Sequence, residues 1–422
     1  MIQLGREMMV RGRSAAFAPG LVVRSMEASP LSLSFRVAND AHIRRAYGAA
    51  VADEVVAELS HRLFNILPAN CRIINDGNGV FVAHLHGDDL PGGEVAGAVL
   101  PVWLAAYCAG VLVDPVDTQA GSLCVWLSAD WAFEGREGEK VFPFQGGPVG
   151  EGKEWEGFYR SDMARAVEFL PLLSQPRGNL HSGLVLYWQP VVGGQGDVLY
   201  HEALCRPCGA DGRVQSPEPL LLALERLGFA CLLDRHVVSA VVDELEAAPG
   251  VVLAANVSAQ SLSCTHLWNE VIERLEQRPD IARRLVWEIT ETALVTDMNR
   301  AVAFIARVRA LGCRIAIDDF GVGFASIRQL LVFSPDIIKI DRLFIDRAVL
   351  GPRDAAIFRQ LVELARSFGA EVVAEGIETR AQAKIVEAAG SVWQQGYLHA
   401  MPSLTRLWWQ GWGGAERLEP PR

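Results

Sequence analysis

The sequence is short of positive charge. Lys+Arg number 39 against Asp+Glu 50, a formal charge of −11, the opposite of the basic surface that a dedicated binder of polymeric DNA or RNA needs. Polymeric nucleic acid is therefore not an expected partner, although an acidic protein can bind an anionic ligand where metal ions or local Arg and Lys reverse the potential in one pocket. The eight cysteines are scattered, with no disulfide framework, and Met1–Arg13 hold no apolar run followed by a small-residue cleavage site. The expectation is a cytoplasmic protein with reduced thiols. Cys205-Arg206-Pro207-Cys208 has redox spacing but follows a strand pattern, so its thiols read as incidental. No P-loop occurs, and Gly321-Val322-Gly323 is too short for a dinucleotide fingerprint. Long apolar runs are also scarce. One stretch, Val95–Val113, lacks charge over roughly the length of a membrane span, but it contains Gly97, Pro101 and Gly110 and no flanking basic cluster. It reads as a buried helix followed by a strand, and no membrane span is expected.

What is present is enough apolar material for two cores: 422 residues, 50% hydrophobic and 21% charged. After an N-terminal extension (1–30), residues 31–143 alternate strand-like and helix-like signals. These are Leu31–Val37, a helical pattern Asp53–Phe64, the strand pair Cys71–Ile74 and Val80–Leu85 about a Gly/Asn/Asp turn, and Leu123–Leu127, together an α+β module. Residues 144–178 read as a linker, glycine-rich over Phe144–Gly157, with a short helix near Met163–Leu173. From 179 to 408 the pattern becomes eight apolar strands, each followed by a helical segment. The strands are Leu184–Trp188, Val198–Ala203, Val251–Val257, Leu285–Ile289, Cys313–Ile317, Ile337–Ile340, Glu371–Ala374 and Ser391–Gln394. Eight such units over roughly 230 residues point to a (β/α)8 TIM-like barrel, hence an α/β fold, with residues 409–422 as a tail. Trp408, Trp409 and Trp412 read as packing of a terminal helix on the barrel, with a contact patch as the alternative.

Active sites of such barrels lie at the C-terminal ends of the strands. The strand ends here carry Gln189, Glu202, Asn256, Glu288, Asp318-Asp319, Lys339 with Asp341, Glu375 and Gln395. An isolated acid at a strand end is usually a helix cap or a solvated charge, whereas a whole rim of them needs cations. An all-oxygen set without His or Cys favours Mg²⁺ or Mn²⁺ over Zn²⁺, and adjacent aspartates can serve two ions.

The motifs His201-Glu202-Ala203-Leu204-Cys205-Arg206, Asn256-Val257-Ser258, Glu288-Ile289-Thr290-Glu291, Asp318-Asp319-Phe320-Gly321, Pro335 to Asp341, Ala374 to Thr379 and Gln395-Gly396-Tyr397-Leu398 occur in that order. Together they resemble the successive signatures of the EAL domain, a cyclic di-GMP phosphodiesterase. The resemblance implies a barrel whose first strand runs antiparallel to the others, and a homodimer formed through it. It implies that Glu202, Asn256, Glu288 and Asp318 hold one metal, and Asp318 and Asp319 a second with Glu375 near it. Lys339 would stand beside the attacking water and Asp341 would orient it. Glu291 would support the loop after the fifth strand, while Gln189, Arg206 and Gln395 would contact the ligand. Cyclic di-GMP would be opened to linear pGpG. Val322, Phe324 and Ala325 stand where the family commonly has Thr, Tyr and Ser, Pro207 where it has Trp, and His399 where it has Phe, which implies altered tuning and affinity.

Residues 31 to about 131 resemble a degenerate GGDEF domain on Ala46-Tyr47-Gly48, Asp53-Glu54 and the hairpin Gly77-Asn78-Gly79-Val80-Phe81. Its two acidic signature positions are Gly79 and Val80, which implies no synthase activity and leaves a regulatory or protein-binding role. An unrelated α+β sensor module is the alternative there. For the whole chain the alternative to an enzyme is a non-catalytic cyclic di-GMP receptor that signals through a protein partner.

Overall fold

In the computed structural model, residues 31–67, 71–75, 79–85, 100, 104–105, 107–133, 136–137, 146, 149–174, 183–194, 196–209, 212–290, 297–322, 327–390 and 393–409 are described, and the structural statements below concern them. The chain forms two compact units. The first comprises Met1–Gly183, Ser216–Leu233 and His266–Asn269; the second comprises Leu184–Gln215, Asp234–Thr265 and Glu270–Arg422.

In the first unit β1 (Leu31–Val37) buries every second side chain, as a strand with one covered face should. It pairs antiparallel with β3 (Val80–Leu85) and β6 (Leu127–Phe133). With β2 (Arg72–Asn75) and β7 (Arg136–Glu137) the sheet order is β2-β3-β1-β6-β7. Helices α1 (Asp40–Tyr47) and α2 (Ala49–Ile66) are separated by Gly48, whose φ of 96° breaks the helix. The expected Asp53–Phe64 helix is the middle of α2. Residues 107–113 are helical and largely buried, and β4 (Val116–Thr118) and β5 (Gly121–Leu123) follow. The rest of the apolar stretch before residue 104, save residue 100, lies outside the described residues. No described helix is long and apolar enough to cross a membrane.

Two expectations for this unit are corrected. The strand expected at Leu123–Leu127 is interrupted: β5 ends at Leu123 and β6 begins at Leu127. Between them the Asn39 side chain donates to Cys124 O (3.1 Å) and accepts from Trp126 N (2.9 Å), taking the place of a ladder partner. The glycine-rich segment expected as linker up to Gly157 instead opens α3 (Gly152–Phe169), which ends in a 3₁₀ turn, Leu170–Ser174. Glycine disfavours a helix by about 1 kcal/mol per residue. That deficit is overridden because α3 buries Tyr159, Met163, Ala166 and Phe169, and stacks Trp155 on Tyr159 (5.1 Å) and Tyr159 on His42 (5.6 Å). Helix α4 (Glu218–Leu227) packs on α3 in the same unit, with Arg226 3.5 Å from the buried Asp162. Phe229 just beyond it stacks on Trp126 at 5.6 Å and 12°. Helix α5 (Ala230–Ala247) starts here and passes into the second unit after Leu233.

The second unit is a closed eight-stranded barrel. Its strands are β8 (Gly183–Gly193), β9 (Val198–Cys208), β10 (Leu253–Ser258), β11 (Leu285–Thr290), β12 (Arg314–Phe320), β13 (Ile337–Ile340), β14 (Glu371–Ala374) and β15 (Trp393–Gln394). The pairings from β9 through β15 are parallel, whereas β8 pairs antiparallel with β15. Strands one and two are longer than the sequence suggested because β8 and β9 extend to Gly193 and Cys208. Val191, Tyr200, Ala254, Val286, Ala316, Ile337 and Val373, one from each of seven strands, fill the barrel interior, with Trp393 of the eighth packed against them.

Candidate active site

That interior layer fixes the site by arithmetic. Side chains two residues apart on a strand share a face, so the next inward positions after Tyr200, Ala254, Val286, Ala316, Ile337, Val373 and Trp393 are Glu202, Asn256, Glu288, Asp318, Lys339, Glu375 and Gln395. On the reversed β8 the same level is reached by counting back from Val191 to Gln189. Gln189 was expected at the end of its strand. It lies within β8, and it reaches the rim because that strand runs the other way.

At the centre is Lys339, 1% exposed. Its Nζ lies 2.8 Å from Asp318 Oδ1, 2.9 Å from Glu375 Oε1, 3.3 Å from Glu202 Oε2 and 3.4 Å from Glu288 Oε2. Burial opposes the ammonium, but Asp318, Glu202, Glu288 and Glu375 outweigh it and raise its pKa well above the ordinary lysine value. Burial also opposes the carboxylate of Glu202; Lys339 and the amide donors of Gln395 (2.5 Å) and Asn256 (2.6 Å) overcome this, and its pKa is lowered. One ammonium cannot neutralise the remaining acids. Burial, reinforced by neighbouring acids, raises Glu288 and Glu375 well above the carboxylate range and Asp318 above it. Asp319 is pushed up to about 7 by burial and then by Asp318.

Successive strand residues face opposite ways, so Asp318 and Asp319 need a device to share one site. The register of β12 against β13 shifts between Ile317 and Phe320, and Asp319 adopts φ 52°. A bulge with a left-handed residue turns the second carboxylate inward, and Asp tolerates that conformation. The ligand atoms of Glu202, Glu288 and Asp318 lie within 4.8 Å of one another, as do those of Asp318, Asp319 and Glu375. Asp318 belongs to both groups. Glu288 Oε1 and Asn256 Oδ1 are buried with no hydrogen-bond partner, and buried oxygens left unpaired mark places where a cation or water belongs. The donor set fits two hard divalent ions.

The other expected residues divide. Gln395 Nε2 also approaches Gln189 Oε1 (3.3 Å), and Gln189 donates to Ala400 O (3.0 Å), so both join the cluster. Arg206 follows Glu202 on the same face of β9, roughly 13 Å further along; it donates to Cys205 O and lies 6.0 Å from the Tyr187 ring. Asp341 caps helix α9 (Arg342–Ala348), accepting from Leu343 N at 2.8 Å, and is not among the four carboxylates around Lys339. Glu291, Phe324 and Ala325 lie outside the described residues; Val322 is exposed. His399 bonds Gln394 (3.0 Å), Trp408 packs on Trp188 and His201, and Cys205 and Cys208 are free thiols. Sequence reasoning missed Tyr200, a fully buried phenol beside Glu288, and Asp234, a buried acid on α5. The only signal for Asp234 was the polar triplet Asp234-Arg235-His236 between apolar residues of Phe229–Val238, which does not single it out.

A family model described as the EAL domain matches residues 176–402. The chain is 32% identical over 226 residues to the cyclic di-GMP phosphodiesterase PdeF of Escherichia coli K12, covering 53% of this chain and 30% of that protein. It is 31% identical over 387 residues to an uncharacterized signaling protein of Caulobacter vibrioides, covering 87% of this chain and 46% of that one. The Bacillus subtilis YkuI protein, solved in complex with c-di-GMP and calcium, is 26% identical, with a TM-score of 0.46, 53% of this chain and 55% of that one covered. The chain spans less than half the length of the curated relatives it matches first. With more than half of its residues matched by the family model, the chain belongs to the EAL-domain family.

Proposed function

We propose that the barrel hydrolyses cyclic di-GMP to linear pGpG with two divalent cations, Mg²⁺ or Mn²⁺. The observation that carries this reading is the shared Asp318 between two carboxylate groups, together with the buried unpaired oxygens of Glu288 and Asn256. Glu202, Asn256, Glu288 and Asp318 would hold one ion, and Asp318, Asp319 and Glu375 the other. When bound, such a pair supplies an acidified water and neutralises phosphoryl oxygens. The acids around Lys339 favour its ammonium form, in which it would serve as a positive donor that positions the nucleophile and offsets developing charge. Glu202 keeps its charge through Lys339 and through the two amide donors, which also fix its orientation. Gln189, Gln395 and Arg206 would bind the ligand, Arg206 through its planar fork. Asp341 would act through α9, which begins three residues after Lys339, and Glu291 would support the loop after β12.

Residues 31–143 would be a degenerate GGDEF-like domain without synthase activity, serving regulation or a protein partner. Gly79 and Val80 at the β3 edge offer no carboxylate for a metal, and phosphoryl transfer of that kind needs metal ligands. A cytoplasmic homodimer through the barrel is in keeping with exposed Ile327, Leu331 (65% exposed) and Val332 on α8 (Ile327–Phe333) and with Leu343 on α9. The test is incubation of the whole chain with Mn²⁺ and cyclic di-GMP, with chromatography of the product. We expect pGpG, and a loss of more than about a hundredfold on Glu202→Ala. Saturable binding with no pGpG would replace the enzyme by a receptor.

A further inference from the structure

We infer that Asp234 is a positioning residue for the metal site. It is buried on the first turns of α5, remote in sequence from every acid of the rim. Its Oδ2 accepts from Ser258 N at 2.7 Å and from Ser261 Oγ at 2.5 Å, and the Ser258 and Ser261 hydroxyls are 2.8 Å apart. Ser258 is the last residue of β10, two places beyond Asn256 and on the same face. The carboxylate therefore closes the end of the strand that carries Asn256. That residue needs a fixed orientation. Glu202 can only accept, so the Asn256 amide must donate to it, and its oxygen is then left unpaired, where it could ligate a cation. Loss of the Asp234 acceptor leaves the Ser258 amide buried without its partner, a state that drives the strand end to re-pair. The Asn256 oxygen moves with it.

This inference rests on the metal-dependent reading of the site, and its test separates the two. Mn²⁺ binding to the whole chain would be followed by calorimetry, and cyclic di-GMP hydrolysis at saturating Mn²⁺ would be measured alongside. For Asp234→Ala we expect Mn²⁺ affinity to fall about tenfold or more, the range seen when supports of metal ligands are removed. Much of the activity should return when Mn²⁺ is raised. Ser261→Ala, which keeps the Ser258 contact, should lose less, and Asp234→Asn, which still offers an acceptor, should lie between. Arg284→Ala is the control for a purely structural role: its guanidinium ties Leu245, Ala248 and Val251 carbonyls at the far end of α5. It should lower Tm without changing Mn²⁺ affinity. If Asp234→Ala fails to fold, the graded pair Ser261→Ala and Asp234→Asn still decides. Unchanged Mn²⁺ affinity in every folded variant overturns the role of Asp234. Wild-type protein that binds Mn²⁺ but releases no pGpG overturns the enzyme reading and leaves the Asp234 test intact; wild-type protein that binds no Mn²⁺ overturns both.

Discussion

Lys339 holds together four carboxylates that would otherwise repel one another across a few ångströms. Removing one partner of a buried ion pair costs about 3–5 kcal/mol. Lys339→Met should therefore destabilise the metal-free protein by that order and lower its Tm, and Mn²⁺ should restore more stability to the variant than to the wild type. Thermal scans with and without Mn²⁺ check this; equal Tm in the metal-free proteins would contradict the arrangement. His201 next to the site gives a pH signature. Burial lowers its pKa to about 4, below the ordinary 6.5, and both ring nitrogens lack partners. The unfolded chain takes up this proton first, so the stability His201 contributes is complete above about 6.5 and is lost as pH falls toward 4, by about 3 kcal/mol. Other acids titrate over the same range, so the difference between wild type and His201→Phe isolates the effect. Denaturant melts at pH 4, 5 and 7 should show a shallower loss in the variant.

At the scale of elements, the ends of β14 and β15 are joined by Ile377 N to Gln395 O (3.0 Å) and Leu398 N to Ile377 O (2.9 Å). Gly396 lies against that backbone so closely that a Cβ would fall on the Ile377 peptide. Gly396→Ala should push apart the strand ends bearing Glu375 and Gln395, costing roughly 2 kcal/mol or more and weakening Mn²⁺ binding, which differential scanning and calorimetry would report together. Strand count and rim residues were legible in the sequence because apolar alternation leads straight to a polar residue two places on, as from Val286 to Glu288. The bulge that turns Asp319 inward was not legible, since no residue type announces a register shift. Nor was the start of α3, where local glycine content argued for a loop and the stacking of Trp155 and Tyr159 decided otherwise. Asp234 was invisible for a related reason: its partners Ser258 and Ser261 come near only when α5 and β10 are folded together.

For the whole molecule, the acidic excess noticed first is partly explained by the barrel rim, where acids are gathered around one lysine. The borders of the matched segment have a second consequence. Residues 216–233 fall within the 176–402 match, yet they share the core of the first unit, with Phe229 on Trp126 and Arg226 on Asp162. A fragment beginning at residue 176 should bare the buried face of α4 and Phe229. We expect it to bind a hydrophobic dye and to self-associate, whereas the full chain does neither to the same degree; a monodisperse, dye-silent fragment would contradict this. The N-terminal half thus acts as a cover for apolar surface that its neighbour in sequence cannot hide. Trp126 and the α3 residues facing α4 therefore have a covering task, whether or not any nucleotide is ever handled there.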